Sequence, residues 1–327
     1  MKPPTGKLGL QRIVLGNLPL LGISYQGRRK DREYIEKFSD KGEMKKIMRV
    51  ALRHGVSLFA ASSHGFNDLA PIHLDAVKEV EKEEETELSL ISCIGIPLQV
   101  GGEKVNEYRR WKTHLNYELE QFGETVRRKA FEDPILNCRL GWKENLRGAK
   151  PYKSNQLKRE LRVNWKLWEE SIEKLSNHMI AWVEPGSETD FLAISRIDLL
   201  EELLDRIGES GYRSLLGSHH LGASFPLVEE WKVKRFDGYV TPINRLGVMM
   251  FPTQRDAEKA AERARTGGKL IAGIKPFAGG RIEPKEALEY VYKELKADSC
   301  MIGVGSVEEA EEDFRVARDV LASIRRP

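Results

Sequence analysis

The chain holds only three cysteines, Cys93, Cys138 and Cys300, far apart and in no CxxC pair. An odd, scattered set excludes a disulfide scaffold and a zinc ribbon. No stretch reaches the ~18 consecutive apolar residues that a membrane span needs. The opening MKPPTGKLGLQRIVLGNLPLLG is broken by Pro and Gly before a signal-peptide core could form, which argues against secretion. No GxGxxG follows the first apolar run, which counts against an open dinucleotide-binding sheet. These absences lead to the expectation of a cytoplasmic protein with no membrane partner. Charge, by contrast, is plentiful: 53 Lys and Arg face 50 Asp and Glu in 327 residues, 31% of the chain. The typical share is ~25%. With 40% apolar residues there is also ample material for a large core, so disorder is excluded.

The charge is unevenly spread. Residues 101–170 carry 16 basic and 11 acidic side chains and four of the six tryptophans, so the rest of the chain is slightly acidic. Arg109-Arg110-Trp111, Arg127-Arg128-Lys129, Trp142-Lys143 and Lys158-Arg159 interleave basic and aromatic residues as a phosphate or nucleic-acid surface would. The mixed acids disfavour nucleic acid. An inserted excursion that packs its tryptophans and solvates its charges is the better reading, either as a lid or as a homo-oligomer contact.

Short apolar, β-branched runs alternate with stretches of helical period along the whole chain. Strands are expected at Leu18–Ser24, Val56–Ala61, Leu88–Ile94, Met179–Val183, Ser214–Gly217, Gly238–Thr241, Leu270–Ile274 and Ser299–Gly303. A charged loop follows the first of these. Helices are expected over Glu43–His54, Pro71–Glu83, Gln156–Leu175, Asp198–Gly208, Pro226–Val233 and Arg255–Arg265, from Pro284, and over Val307–Ser323. Ser306 and Glu309 form a capping box at the last of them. Strict alternation predicts an α/β fold, one (β/α)8 TIM barrel over 1–327, with residues 101–155 inserted after strand three. Function in such a barrel gathers at the C-terminal strand ends. That rule selects Ser62-Ser63-His64, Cys93, Glu184, Ser218-His219-His220, Asn244-Arg245, Lys275 and Gly303–Ser306.

At these ends the sequence resembles the aldo/keto reductases. MKKIMRVALRHGVSLFAAS is similar to that family's segment ending in FFDTA, and YRSLLGSHH to its IGxSxH segment. FDGYVTPINRLG resembles its sixth strand, LIAGIKPFAGGRI its KPxxGG segment, and DSCMIGVGSVEEAEEDF its IPGxxxxEEVEEN ending. The resemblance implies an oxidoreductase that reduces a small carbonyl compound with NAD(P). It also sets the family's Asp, Tyr, Lys and His against Ala60, Gly65, Cys93 and Val183, so the standard tetrad is not retained. Carbonyl reduction needs an acid within hydrogen-bond reach of the oxygen. His64, Glu184, His220 and Lys275 are the candidate catalytic residues. Cofactor contacts implied by the resemblance fall on Ser218, His219, Asn244, Gly279, Gly280, Gly303 and Ser306, although Glu308 and Glu309 would repel a phosphate.

Two other classes stay open. One is a non-redox barrel enzyme, metal- or acid/base-dependent, working as a hydrolase, lyase or isomerase on a small-molecule ligand. The other is a barrel that binds without catalysis. Histidines without ligand spacing disfavour a metal. Lys275 could form a Schiff base, against the plainer reading of a lysine shared with the KPxxGG segment. Cys93, within the apolar run LISCIGI, reads as an inert thiol.

Overall fold

A computed structural model describes residues 10–324. The first nine residues of the opening segment lie outside the described residues. Eight parallel strands build the centre: β1 (Ile13–Gly16), β2 (Leu58–Ser62), β3 (Ser89–Cys93), β4 (Met179–Glu184), β5 (Leu215–Gly217), β6 (Gly238–Pro242), β7 (Leu270–Ile274) and β8 (Ser299–Gly303). They are hydrogen-bonded in the order β4-β3-β2-β1-β8-β7-β6-β5. The ring closes where Val183 bridges Ser214 and the Val183 amide donates to the Arg213 carbonyl at 2.9 Å. This is a (β/α)8 barrel, a fold whose functional groups sit on the βα loops. No helix among the described residues is long and apolar enough to cross a membrane.

The short apolar runs form the strands because both of their faces are buried. Period-two alternation sends Val14, Ala60, Ile91, Trp182, Leu215 and Val240 into the barrel interior. Their neighbours pack outward against helices in the main core, as Leu15, Phe59, Leu90 and Val183 do. Val183 therefore faces the helices and not the mouth.

Four expected elements are corrected. Leu18–Ser24 is not a strand: Pro19–Leu21 is a 3-10 turn, and β1 lies earlier, at Ile13–Gly16. Proline lacks the N–H a central strand must donate, while Ile13 and Val14 are β-branched. The charged loop after it contains a helix, Arg28–Phe38, whose stripe of Tyr34 and Phe38 is concealed among charges. The helix expected over Gln156–Leu175 is interrupted by a strand, Leu161–Val163, after which Asn164 caps a new helix through the Leu167 amide. The helix expected to begin at Pro226 runs over Leu221–Glu230, with that proline inside it.

Between β3 and β4 the chain makes an excursion wider than 101–155. It opens with a small antiparallel sheet of Leu98–Val100, Glu103–Lys104 and Leu161–Val163. Helices at Glu107–Phe122, Thr125–Glu132 and Trp142–Gly148 follow. Trp111, Leu115 and Trp142 share one apolar cluster with Val248, Met249 and Phe251 after β6 and with Ala278 after β7. The buried Asp133 carboxylate accepts the Met249 amide at 2.7 Å, and the Lys129 ammonium donates to the Gly247 carbonyl at 2.5 Å. The excursion is thus a lid docked on the C-terminal face, over the loops after β5, β6 and β7.

Candidate active site at the barrel mouth

One step of alternation above the interior layer, the strands present Gly16, Ser62, Cys93, Glu184, Gly217 and Gly303, with Pro242 and Ile274 completing the ring. Three glycines leave room at the mouth. Only Ser62, Cys93 and Glu184 bring polar side chains, and these three are direct register partners across β2, β3 and β4. Ser62 is occupied, since its hydroxyl accepts from the Asn17 amide at 3.0 Å. Cys93 and Glu184 remain.

The Glu184 carboxylate lies across the backbone of β5. A Cβ on Gly217 would collide with its Oε1 and stand 2.8 Å from the Gly186 carbonyl. Burial pushes the Glu184 carboxyl up to about 7, while the Cys93 thiol donating to it and the positive charge of Lys275 hold it from rising further. Burial, with the charges of Glu184 and Glu188, pushes the Cys93 thiol well above its ordinary value. The thiol stays protonated and is a hydrogen-bond donor to Glu184, not a nucleophile. Gly217→Ala is expected to eject the carboxylate, cost about 1–3 kcal/mol through overpacking, and remove the titration near 7; denaturant unfolding and a carboxyl NMR titration check both.

Lys275 completes the group from the end of β7. Its ammonium donates to His219 Nε2 at 3.1 Å and lies 5.2 Å from the centre of the Tyr25 ring. Burial first, then the charges of Lys275, His220, Arg139 and Arg110, hold the His219 imidazole well below its ordinary range, so it is neutral and can accept. Lys275 and Tyr25 both sit in the left-handed region, at φ 57° and 59°. Non-glycine residues pay about 1–2 kcal/mol for that conformation, and such strain concentrates at functional sites. Cys93, Glu184, His219 and Lys275 are all partly accessible to solvent.

Asp190 fixes the loop that carries His219. It is 1% exposed, and it accepts the amides of His219 and His220 at 2.8 and 3.0 Å and the Ser218 hydroxyl at 2.6 Å. From the lid, Arg110 reaches Glu188 at 3.3 Å and Ser187 at 3.4 Å, and Arg139 pairs with Glu107.

Of the four catalytic candidates, Glu184 and Lys275 both stand at strand ends of the mouth, where the Lys275 charge acts on the Glu184 carboxyl. His220 lies under the lid at 3% exposure, its Nδ1 at 2.7 Å from Glu118 and its ring stacked 4.3 Å from that of His114. His64 is hydrogen-bonded to none of these groups, and its Nδ1 is sealed from solvent without a partner. Cys93, Arg110, Asp190 and Glu188 join the site although the catalytic reading omitted them. Cys93 and Asp190 had a legible signal, one as a strand-end position and the other just past the Glu184-Pro185-Gly186 turn. Arg110 had one only within the basic and aromatic Arg109-Arg110-Trp111 cluster of the excursion, which does not show that it reaches the mouth.

The residues read as cofactor contacts are placed as follows. Ser218 is held by Asp190. Asn244 is fully buried and closes its own loop through the amide and carbonyl of Val248, both at 2.9 Å. Gly279 has φ 73° and packs so tightly that a Cβ would stand 2.6 Å from Arg281 and 2.9 Å from the Tyr25 carbonyl. Gly280, with φ 74°, is exposed. Gly303 packs on the Pro19 ring. Ser306 accepts the Glu309 amide at 3.1 Å, and the Glu309 carboxylate turns back to accept the Gly305 amide at 2.7 Å. The Tyr34 phenol fills the space in front of Gly305. Among the described residues no group of three or more His, Cys, Asp or Glu is placed to hold a metal ion.

Comparison with known proteins bears on the fold. No family model matches the chain, and no curated protein matches it by sequence. Among solved structures it is similar to two of a "putative aldo-keto reductase" from Pseudomonas aeruginosa. One superposes with a TM-score of 0.52 at 15% identity, covering 98% of this chain and 96% of that one. The other gives 0.54 at 14% identity, covering 98% and 94%. The (β/α)8 barrel fold is therefore shared with those two structures. At such identity the likeness extends to the fold and no further.

Proposed function

We propose that this barrel is a non-redox enzyme that moves a proton on a small carbonyl compound, with Glu184 as the acid/base and Lys275 beside the carbonyl oxygen. The observation that supports it is a strand-end carboxyl pushed up to about 7 by burial, with a lysine ammonium at another strand end whose charge acts on it. Efficient proton transfer calls for a group whose pKa lies close to the working pH. A carboxyl strongly perturbed by burial at a barrel mouth is a common mark of an acid/base site.

A nicotinamide dinucleotide does not fit the residues present. The N-terminus of the last helix, where its phosphate would lie, is closed by the carboxylate of Glu309 and by Tyr34. Ser218 and Asn244, which would hold the nicotinamide amide, are bound to Asp190 and Val248. The resemblance, which sets Ala60, Gly65, Cys93 and Val183 against the reductases' tetrad, supports the same reading.

The test is exchange of carbon-bound protons in D2O, with pyruvate and dihydroxyacetone phosphate as probes, followed by NMR. Exchange should rise with pH through about 7 and fall at least a hundredfold in Glu184→Gln. Absence of exchange would overturn the proposal, and stabilisation of the protein by NADH or NADPH would then favour a nicotinamide-dependent oxidoreductase.

A further inference from the structure

We infer that Lys275 forms a Schiff base with its substrate, and that the substrate carries a carboxylate or phosphate held by Arg110 and Arg139 of the lid. This rests on the proton-transfer reading and goes beyond it, because it makes the lysine a covalent participant. Three observations carry it. The Lys275 ammonium has no carboxylate ion-pair partner among the described residues; its one hydrogen bond is to the neutral imidazole of His219. Its backbone is held in a left-handed conformation just before Pro276, which fixes where the side chain leaves the strand end. Finally, the lid brings both arginines to this end of the barrel: Arg110 reaches Ser187 and Glu188 just after β4, and Arg139 follows Cys138, whose thiol donates at 3.3 Å to the carbonyl of Tyr25, the residue whose ring lies 5.2 Å from the Lys275 ammonium.

The two arginines differ in how far they are engaged. Arg110 uses its guanidinium on Ser187 and Glu188. Arg139 donates from Nη1 to Glu107 and lies over the Trp142 ring, and its other N–H groups donate to no residue among those described. A planar guanidinium is suited to a carboxylate or phosphate. Anion capture by the lid would hold the carbonyl of a short molecule over Lys275.

The chemistry balances without an oxidant or reductant. After the ammonium gives one proton to solvent, the amine nitrogen attacks the carbonyl carbon, and a C–N bond forms as the C=O π pair moves to oxygen. That oxygen takes a proton from the Glu184 carboxyl, and the nitrogen returns one to it. Glu184 then protonates the hydroxyl, which leaves as water while the nitrogen lone pair forms the C=N bond. Glu184 is left as a carboxylate and the ammonium's proton is in solvent; once Glu184 takes a proton back, the net change is ammonium plus carbonyl giving iminium plus one water. An iminium is a stronger electron sink than the parent carbonyl, which makes proton loss at the adjacent carbon easier.

The experiment is reductive trapping on the full-length protein. Pyruvate, dihydroxyacetone phosphate and uncharged acetone are each incubated with it in sodium cyanoborohydride, and adducts are located by peptide mass spectrometry. One of the two anionic probes should label Lys275 at least tenfold more than any other lysine, with acetone giving no such excess. Label spread over surface lysines would overturn the Schiff base, and equal labelling by acetone would overturn the anion site. Comparison within the wild-type protein makes this independent of whether Lys275→Arg folds; that variant should lose the excess. Proton exchange without an adduct on Lys275 would remove this inference and leave the proposed function intact. Neither exchange nor adduct would remove both.

Discussion

Glu118→Ala is expected to lower stability by about 1–3 kcal/mol, the range for leaving a buried hydrogen-bonding group without its partner. Glu118 is fully buried, its Oε1 at 2.7 Å from His220 and its Oε2 without a partner. Burial pushes its carboxyl up, and His220 opposes that rise. Beside it His114 is also buried, both ring nitrogens unpartnered, and desolvation holds it well below its ordinary range and neutral. Truncation leaves His220 facing a cavity with no acceptor. Because Glu118 lies on the lid helix and His220 on the loop after β5, the loss should loosen the lid first. Denaturant unfolding gives the magnitude, and hydrogen exchange along residues 107–148 locates it. Glu118→Met combined with His220→Leu should recover most of the stability, since apolar replacement of a buried pair is often neutral. A Glu118→Ala protein as stable as wild type would contradict the pairing.

Glu184→Gln should act in the opposite sense. A carboxyl near 4.5 in the unfolded chain and about 7 in the folded one binds more protons when folded across that interval. Stability therefore falls as pH rises from about 4.5 to about 7, and the penalty is complete above that. Glutamine is neutral throughout. At about 1.4 kcal/mol per pH unit, less a discount for partial exposure, the variant should exceed wild type by roughly 2–3 kcal/mol at pH 8. It should match wild type at pH 4. Asp313, also pushed up to about 7 by burial and by Glu309 and Glu312, contributes a slope of the same sign to both proteins and cancels in the comparison. Gained stability together with lost exchange would mark Glu184 as a group kept for chemistry at the expense of the fold.

The barrel was legible because its strands are short apolar runs bounded by polar punctuation. Leu270–Ile274 and Ser299–Gly303 coincide with β7 and β8. Where two apolar runs flank Asn17, the choice turned on Pro19, and the proline-containing run is the turn. Helix Arg28–Phe38 escaped notice because only Tyr34 and Phe38 are buried along it. Its consequence, Tyr34 in front of Gly305, was equally hidden.

The site divides along the same line. Strand-end position alone selects Glu184 and Lys275, and alternation says that only one of His219 and His220 faces the mouth. It does not say which. His219 is the one, and His220 is taken by Glu118, about a hundred residues away in the chain. No local pattern carries a contact of that separation. The tryptophan-rich, basic stretch was legible as an excursion that packs on the barrel, whereas its docking over β5–β7 depends on Val248, Met249 and Phe251, whose role no spacing reveals.

The ionisation of Glu184 is the most direct test of the mouth as an acid/base site. A carbon-13 NMR titration of glutamate side-chain carboxyls, with Glu184→Gln to assign the signal, measures it without any substrate. A midpoint at about 7 that moves higher in Lys275→Met is the expected result, because Lys275 opposes the rise. A midpoint in the ordinary carboxylate range, unmoved by loss of Lys275, would contradict it.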